Sequence, residues 1–485
     1  MFCSDGLTDD ISGNEIAATV KQARNACHVC RQLISAAIQR DGDDNISADA
    51  LKSKGTEKQG KRVHQMSTVT LECRLARNYV LENVAGSLAY LLVKATPNPE
   101  VSFGSLPLNL GLVIDVSRSM KGKKIECARE ASKFVVESLS PEDTVSVVIF
   151  SDDARAIVPL SEARDKDAIL SAIDRIGTVS GTRMYCGIET ALAEMRKGAK
   201  RGSISRMVIL TDGETEGEER CLAIAEERIR GNLVISTFGI GDEYNEVLVK
   251  TIADTCLGGT YHLQMPEEMQ GHFQTEVDAA RAAVITNVIL SLRLADDVRL
   301  EEMHRIFPNS AKLQPGIEPD GKTYTVDVNS LRIKESSCFG VKMVLPARAG
   351  GPATEAQVSL RYDVPNLEIE GHTEECDVVV EYTADRDLSG RIDREVVNYF
   401  NQLNVESLIN EAIQETRAGN VAAATKILTQ AQMLTQKIGN VALTRSIGQA
   451  SEELNEKGAM SSGAMKTMRV GASHTVKIDD SDPRQ

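Results

Sequence analysis

The chain has 485 residues, which at about 150 residues per domain corresponds to about three domains. Lys and Arg number 55 against 70 Asp and Glu; the resulting net charge of −15 argues against a chain-wide nucleic-acid-binding role. With 42% hydrophobic residues but no Trp, 9 Tyr and 9 Phe, the cores must be built mainly from Val, Ile, Leu and Ala. No apolar run approaches the roughly 20 residues needed to cross a bilayer. The start, MFCSDGLTDD, has no basic region followed by an apolar stretch, as a secretory signal would. Ten scattered cysteines do not make a disulfide scaffold. The expectation is a cytoplasmic protein, with neither nucleic acid nor membrane among its partners.

Residues 1–48 carry a helical pattern, with Ile16, Val20, Ala23, Cys27, Cys30, Leu33 and Ile34 at three- and four-residue steps. Residues 49–63 are polar and read as a linker. Residues 64–107 contain alternating runs, STVTLECRL and GSLAYLLV, expected to be strands of a sheet completed elsewhere in the chain. From Leu108 the pattern changes to buried strands (108–115, 144–150, 206–210, 232–240) separated by amphipathic helices such as 123–139 and 184–197. Continuous apolar strands between helices predict a doubly wound, mostly parallel α/β sheet covered on both faces, over 108–280. Alternation over 284–383 predicts an antiparallel β-sandwich, and 391–457 reads as a bundle of three helices. Gly419-Asn420 and Gly439-Asn440 punctuate these helices, each Gly ending one and each Asn capping the next. Residues 458–485, rich in Gly, Ser and Met, read as a disordered tail.

The strongest chemical signal lies at the end of the first parallel strand. Asp115, Ser117 and Ser119 place three hard oxygen donors on one tight loop, where open α/β sheets gather ligands. Thr182, just before a helix, and Asp212, just after the strand RMVIL, offer the same chemistry. Two carboxylates and three hydroxyls suit Mg2+, with Mn2+ or Ca2+ as alternatives, and leave a coordination position free. Thr182 also suits a helix N-cap. The rim carries Arg118, Lys121, Lys123 and Lys124 on one side and Glu214, Glu216, Glu218 and Glu219 on the other, which read as solvated helix ends.

These residues resemble the von Willebrand factor type A domain with its metal-ion-dependent adhesion site. The family's Asp-x-Ser-x-Ser, later Thr and later Asp are met by Asp115, Ser117, Ser119, Thr182 and Asp212. Phe150, Gly187, Gly239 to Asp242 and Gly258-Gly259-Thr260-Tyr261 match further family signatures, and Arg118 stands where many members have Gly. With its flanking β segments and helical end, the chain is similar to the intracellular bacterial form. The resemblance implies an adaptor or scaffold in bacterial signalling or complex assembly, binding a partner's Asp or Glu through the metal. It also allows an accessory subunit of a separate chelatase-like ATPase.

Residues 1–48 instead resemble the C-terminal end of a metal-dependent serine/threonine protein phosphatase of the PPM type, through Asp5-Gly6 and Asp44-Asn45. By that resemblance Asp5 and Asp44 would be remnant ligands of a two-metal centre. The upstream catalytic half is missing, so no catalytic residue and no phosphatase activity are expected of the chain as it stands; the alternative is a phosphatase fused to a type A targeting domain. Cys27 and Cys30 flank His28 on the predicted helix without a second pair at zinc spacing, so a structural helix face is expected. No Walker A loop or His-Glu-x-x-His motif occurs. Thr467 and Thr475, near Lys466, Arg469 and Lys477, are candidate phosphosites for a kinase and a phosphothreonine-reading partner.

Overall fold

The computed structural model describes residues 2–3, 48–49, 67–99, 101, 104–198, 202–228 and 233–478. It divides into two units, 1–65 and 66–485. In the first, β1 (Phe2–Cys3) pairs antiparallel with β2 (Ala48–Asp49). Asp5, Asp44 and the Cys27–Cys30 pair lie outside the described residues, as do Met1, the helix expected between β1 and β2, and the linker from 50 onward.

The second unit opens with β3 (Val69–Leu75), β4 (Tyr79–Leu81) and β5 (Ser87–Pro97). An α/β layer follows: β6 (Leu108–Asp115), α1 (Lys123–Ser138), β7 (Thr144–Phe150), β8 (Ala154–Glu162), α2 (Lys166–Asp174), α3 (Met184–Gly198), β9 (Ile204–Thr211), α4 (Glu218–Arg228), β10 (Leu233–Ile240), α5 (Glu246–Thr255), β11 (Leu257–Leu263) and α6 (Met269–Arg281). Its sheet runs β11-β10-β9-β6-β7-β8, parallel except for the edge strand β8. Every residue of β6, β7 and β10 is buried, because helices cover both faces. Ile125, Ala128, Val135 and Val136 of α1 pack on one face, while Ile188, Ala191 and Met195 of α3 pack on the other. Gly111 of β6 lets α3 approach closely, since a Cβ there would stand 2.5 Å from the Met195 sulfur.

Then come β12 (Ala283–Leu294), β13 (Arg299–Phe307), β14 (Ala311–Lys312), β15 (Gly316–Ile317), β16 (Thr323–Arg332), β17 (Ser337–Leu345), β18 (Gly351–Val364) and β19 (Ile369–Thr383). They join the earlier strands in two sheets, β15-β16-β12-β18-β19-β4 and β14-β13-β17-β5-β3. Thus β5 pairs with β17 across the whole α/β insertion, and β4 lies parallel to β19. One core fills the space between the sheets, with Leu91 and Val93 on one side and Leu290, Val358 and Val380 on the other. The opposite face of β5, β13 and β17 presents Leu92, Ile306, Phe307 and Cys338 to the C-terminal helices.

Those helices are α7 (Arg386–Ser389), α8 (Arg394–Arg417), α9 (Val421–Lys437), α10 (Val441–Lys457) and α11 (Ser462–Ser473). Gly419 and Gly439 take φ near +79° and +78° in the turns, a conformation cheap only for glycine. The Asn440 side chain accepts the Leu443 amide at 3.1 Å, as a cap should. Asn420 does not cap α9 with its side chain; its amide donates to Glu415 at 2.7 Å instead.

The expected disordered tail is an ordered element as far as Ile478. Helix α11 packs Met468 and Ala472 into the helical core. Lys466, 5% exposed, donates to the carbonyls of Asp242 (2.9 Å) and Tyr244 (2.7 Å) and stands 3.9 Å from the Tyr244 ring centroid. The candidate phosphosites are held within this element. The Thr467 hydroxyl donates to the Gly463 carbonyl and accepts from Gln264, and the Thr475 hydroxyl donates to the Ile306 carbonyl at 2.6 Å. Its Gly, Ser and Met content suggested a free tail, but Lys466 is held by the Asp242 and Tyr244 carbonyls and Arg469 by Glu246 and Asn410.

His474 donates its Nε2 proton to the Thr260 carbonyl at 2.7 Å and packs edge-on against Tyr261. Burial pushes its pKa below the usual value. The unfolded chain therefore takes up a proton near pH 6.5 that the folded chain refuses, and stability falls as pH drops below that point. The contribution is up to about 1.4 kcal/mol per pH unit. His474→Gln is expected to flatten this part of the slope in urea unfolding between pH 7.5 and 5.5.

Candidate metal centre

The site forms where β6 and β9 end side by side at the sheet's carboxyl edge. Asp115 is the last residue of β6, and the chain then turns through Val116–Met120, pinned by the buried Met120 and by a Met120 amide bond to the Ser117 carbonyl. Asp115 is fully buried. Its carboxylate accepts the Ser117 amide (2.8 Å) at one oxygen and the Thr211 hydroxyl (2.8 Å) at the other. Burial pushes the carboxyl up to about 6 despite those hydrogen bonds, and the nearby Asp212 charge adds to the shift. Asp212 is also fully buried. Its Oδ1 accepts the Ser119 hydroxyl at 2.7 Å, and the Ser117 and Ser119 hydroxyls are 3.0 Å apart.

The third loop is tied in through its main chain. The Val179 amide donates to the Val116 carbonyl at 2.7 Å, while the Thr182 carbonyl accepts the Thr215 hydroxyl and the Glu216 amide, both at 3.1 Å. Gly181 has φ +96°, and a Cβ there would fall 2.0 Å from an Asp152 carboxylate oxygen. Ser117, Ser119 and Asp212 are thus joined side chain to side chain, Asp115 is tied to them through the Ser117 amide, and the Thr182 loop is tied by backbone to Val116 and to the segment after Asp212.

Three further residues belong to this region. Thr211 orients Asp115, and its place directly before Asp212 was a usable signal. Asp152 packs on the Thr182 loop. Lys124, read as a solvated rim charge, instead donates to Asp212 Oδ2 at 2.5 Å. Of the other rim charges, Lys123 pairs with Glu267 and Glu216 with Arg183 at the surface.

The donor set fits a hard divalent cation. Buried carboxylates with adjacent hydroxyls are oxygen ligands of the kind Mg2+ and Mn2+ take, and Asp115 is a buried anion for which a cation would offset the desolvation. Among the described residues no group of three or more His, Cys, Asp and Glu is placed to hold a metal, so any ligand set here must include the hydroxyls.

Residues 109–276 match the family model of the von Willebrand factor type A domain, and residues 394–477 match that of the Sll0103-like C-terminal alpha-helical domain. The uncharacterized protein sll0103 of Synechocystis is 28% identical over 265 residues, 54% of this chain and 62% of that protein. The uncharacterized protein YfbK of Escherichia coli is 27% identical over 175 residues, 35% of this chain and 30% of that protein. The chain therefore spans less than two thirds of either relative. Among solved structures, a von Willebrand factor type A protein from Catenulispora acidiphila superposes with a TM-score of 0.73 at 22% identity, covering 84% of this chain and 97% of that one. The ArnB paralog VWA2 from Sulfolobus acidocaldarius gives 0.50 at 18% identity, covering 84% and 100%. The chain carries a type A domain, with a β-sandwich and a helical end around it. No helix among the described residues is long and apolar enough to cross a membrane.

Proposed function

We propose that the chain is a divalent-metal-dependent protein-interaction module, serving as an adaptor in a bacterial intracellular signalling or assembly complex. Asp115, Ser117, Ser119 and Asp212 would hold the ion, with Thr182 on the adjoining loop. When bound, the cation supplies a concentrated positive charge that attracts a carboxylate in a partly dry crevice. The chain's own residues do the rest. The Ser117 amide and Thr211 hydroxyl orient Asp115, Ser119 orients Asp212, and the Val179–Val116 bond sets the height of the third loop. A partner's Asp or Glu is the complementary group.

One observation carries this reading: two fully buried carboxylates at the ends of neighbouring strands, linked through Ser117 and Ser119, at the ligand-binding edge of an open α/β sheet. Calorimetric titration of the full chain with MgCl2, MnCl2 and CaCl2 tests it. Uptake of one ion per chain is expected, together with chelator-sensitive retention of partners in a pull-down. No uptake of any of the three, or partners that stay bound equally in chelator, would overturn it.

A further inference from the structure

Lys124 is out of place as a helix residue. It lies in the first turn of α1, where unpaired backbone N–H groups and the helix dipole disfavour a cation. No carboxylate of its own turn explains it, since its bond runs to Asp212, 88 residues away. Gly122, at φ +86°, turns the chain just before the helix. From there two consecutive lysines diverge, Lys123 outward to Glu267 and Lys124 inward to Asp212. The Lys124 pair is no ordinary surface contact: Asp212 is 0% exposed and the Lys124 side chain 30%. The two oxygens of Asp212 are divided, Oδ1 to Ser119 and Oδ2 to Lys124.

We propose that the Lys124 ammonium is a built-in counter-cation of the metal centre, which weakens its grip on the ion and makes the loaded centre demand an anionic partner. The inference rests on the metal-binding reading above. Asp115 and Asp212 together carry two negative charges, and a divalent ion alone would balance them. With Lys124 in place one charge is already neutralised, so the loaded centre keeps one net positive charge. An incoming carboxylate cancels it. Lys124 thus trades metal affinity for partner selectivity, because a centre that is neutral on its own gains less from a further anion.

The test uses the full chain, Mn2+ as the metal probe and acetate as the simplest carboxylate. Lys124→Met keeps the length of the stem and removes the charge; Lys124→Gln serves if that variant does not fold, and Lys124→Arg keeps the charge. Calorimetry is expected to show Mn2+ binding about tenfold tighter or more in Lys124→Met and near wild type in Lys124→Arg. Acetate is expected to tighten Mn2+ binding in the wild type and much less in Lys124→Met. In chelator, Lys124→Met should melt lower, because Asp212 loses its cation. Equal or weaker Mn2+ affinity in Lys124→Met while the wild type binds would overturn this inference alone. An acetate effect of the same size in both would overturn its partner-selecting half. No uptake of Mn2+, Mg2+ or Ca2+ by any form would overturn the metal reading itself.

Discussion

Asp115→Asn is expected to weaken Mg2+ or Mn2+ uptake by at least about 100-fold, since even supporting residues around a metal commonly cost 10–100-fold. In chelator the same substitution should stabilise the protein. Burial pushes the Asp115 carboxyl up to about 6, so above that pH the folded chain holds an ionised group at a free-energy cost that the unfolded chain avoids. An amide removes the charge and still offers an acceptor to the Ser117 amide and a donor to the Thr211 hydroxyl. The expected gain at pH 7.5 is roughly 1–2 kcal/mol, less than the shift alone would give because the amide fits imperfectly. Urea unfolding in EDTA, paired with a Mn2+ titration, checks both halves. A variant that binds metal normally and unfolds earlier would count against Asp115 as a ligand held ready at a cost.

Gly258→Ala is expected to be the most damaging small substitution in the type A layer. Ile235 of β10 faces Leu257 of β11, yet Thr237 faces Thr260, so β11 carries an extra residue at Gly258-Gly259. A Cβ on Gly258 would lie 2.0 Å from the Ile235 carbonyl oxygen and 2.5 Å from its carbon. Both are backbone atoms of a buried strand and cannot turn aside. Moving β11 instead would break a buried polar chain. The Gly259 amide donates to Ser236, while Ser236 and Tyr261 each donate to a different oxygen of Glu276, at 2.7 and 2.6 Å. The expected cost is about 3 kcal/mol or more, the upper range for overpacking. Gly241→Ala makes the control: φ is +71° there, but nothing lies within 4 Å of the added carbon, so only about 1 kcal/mol of backbone strain is expected. Equal losses of urea midpoint in the two variants would refute the steric argument.

Much of the α/β layer was legible because its strands are buried on both faces. The runs at 108–115 and 144–150 coincide with β6 and β7, since uninterrupted apolar stretches between helices leave few alternatives. The edge strand β8 is not legible in the sequence: only Val158 of its residues is buried, and its pattern, ARAIVPLSE, neither alternates cleanly nor runs apolar. At the site, Asp115, Ser117, Ser119 and Asp212 were readable from spacing after strand ends. Asp152 was not, because it acts across space on the Thr182 loop.

Sequence alone determined what is local and periodic: which strands are buried, where glycines must turn the chain, and which oxygens stand at strand ends. Tertiary structure decided the pairings over long separations, above all those of charge. Residues 458–478, rich in Gly, Ser and Met, read as a free tail, yet Lys466 finds the carbonyls of Asp242 and Tyr244, more than 200 residues away. Lys124 looks like any surface lysine until folding brings Asp212 to it. A charged side chain has no periodic signature; its energy depends on what lies within a few ångströms and on how much water remains there, and both are set only when the layers close.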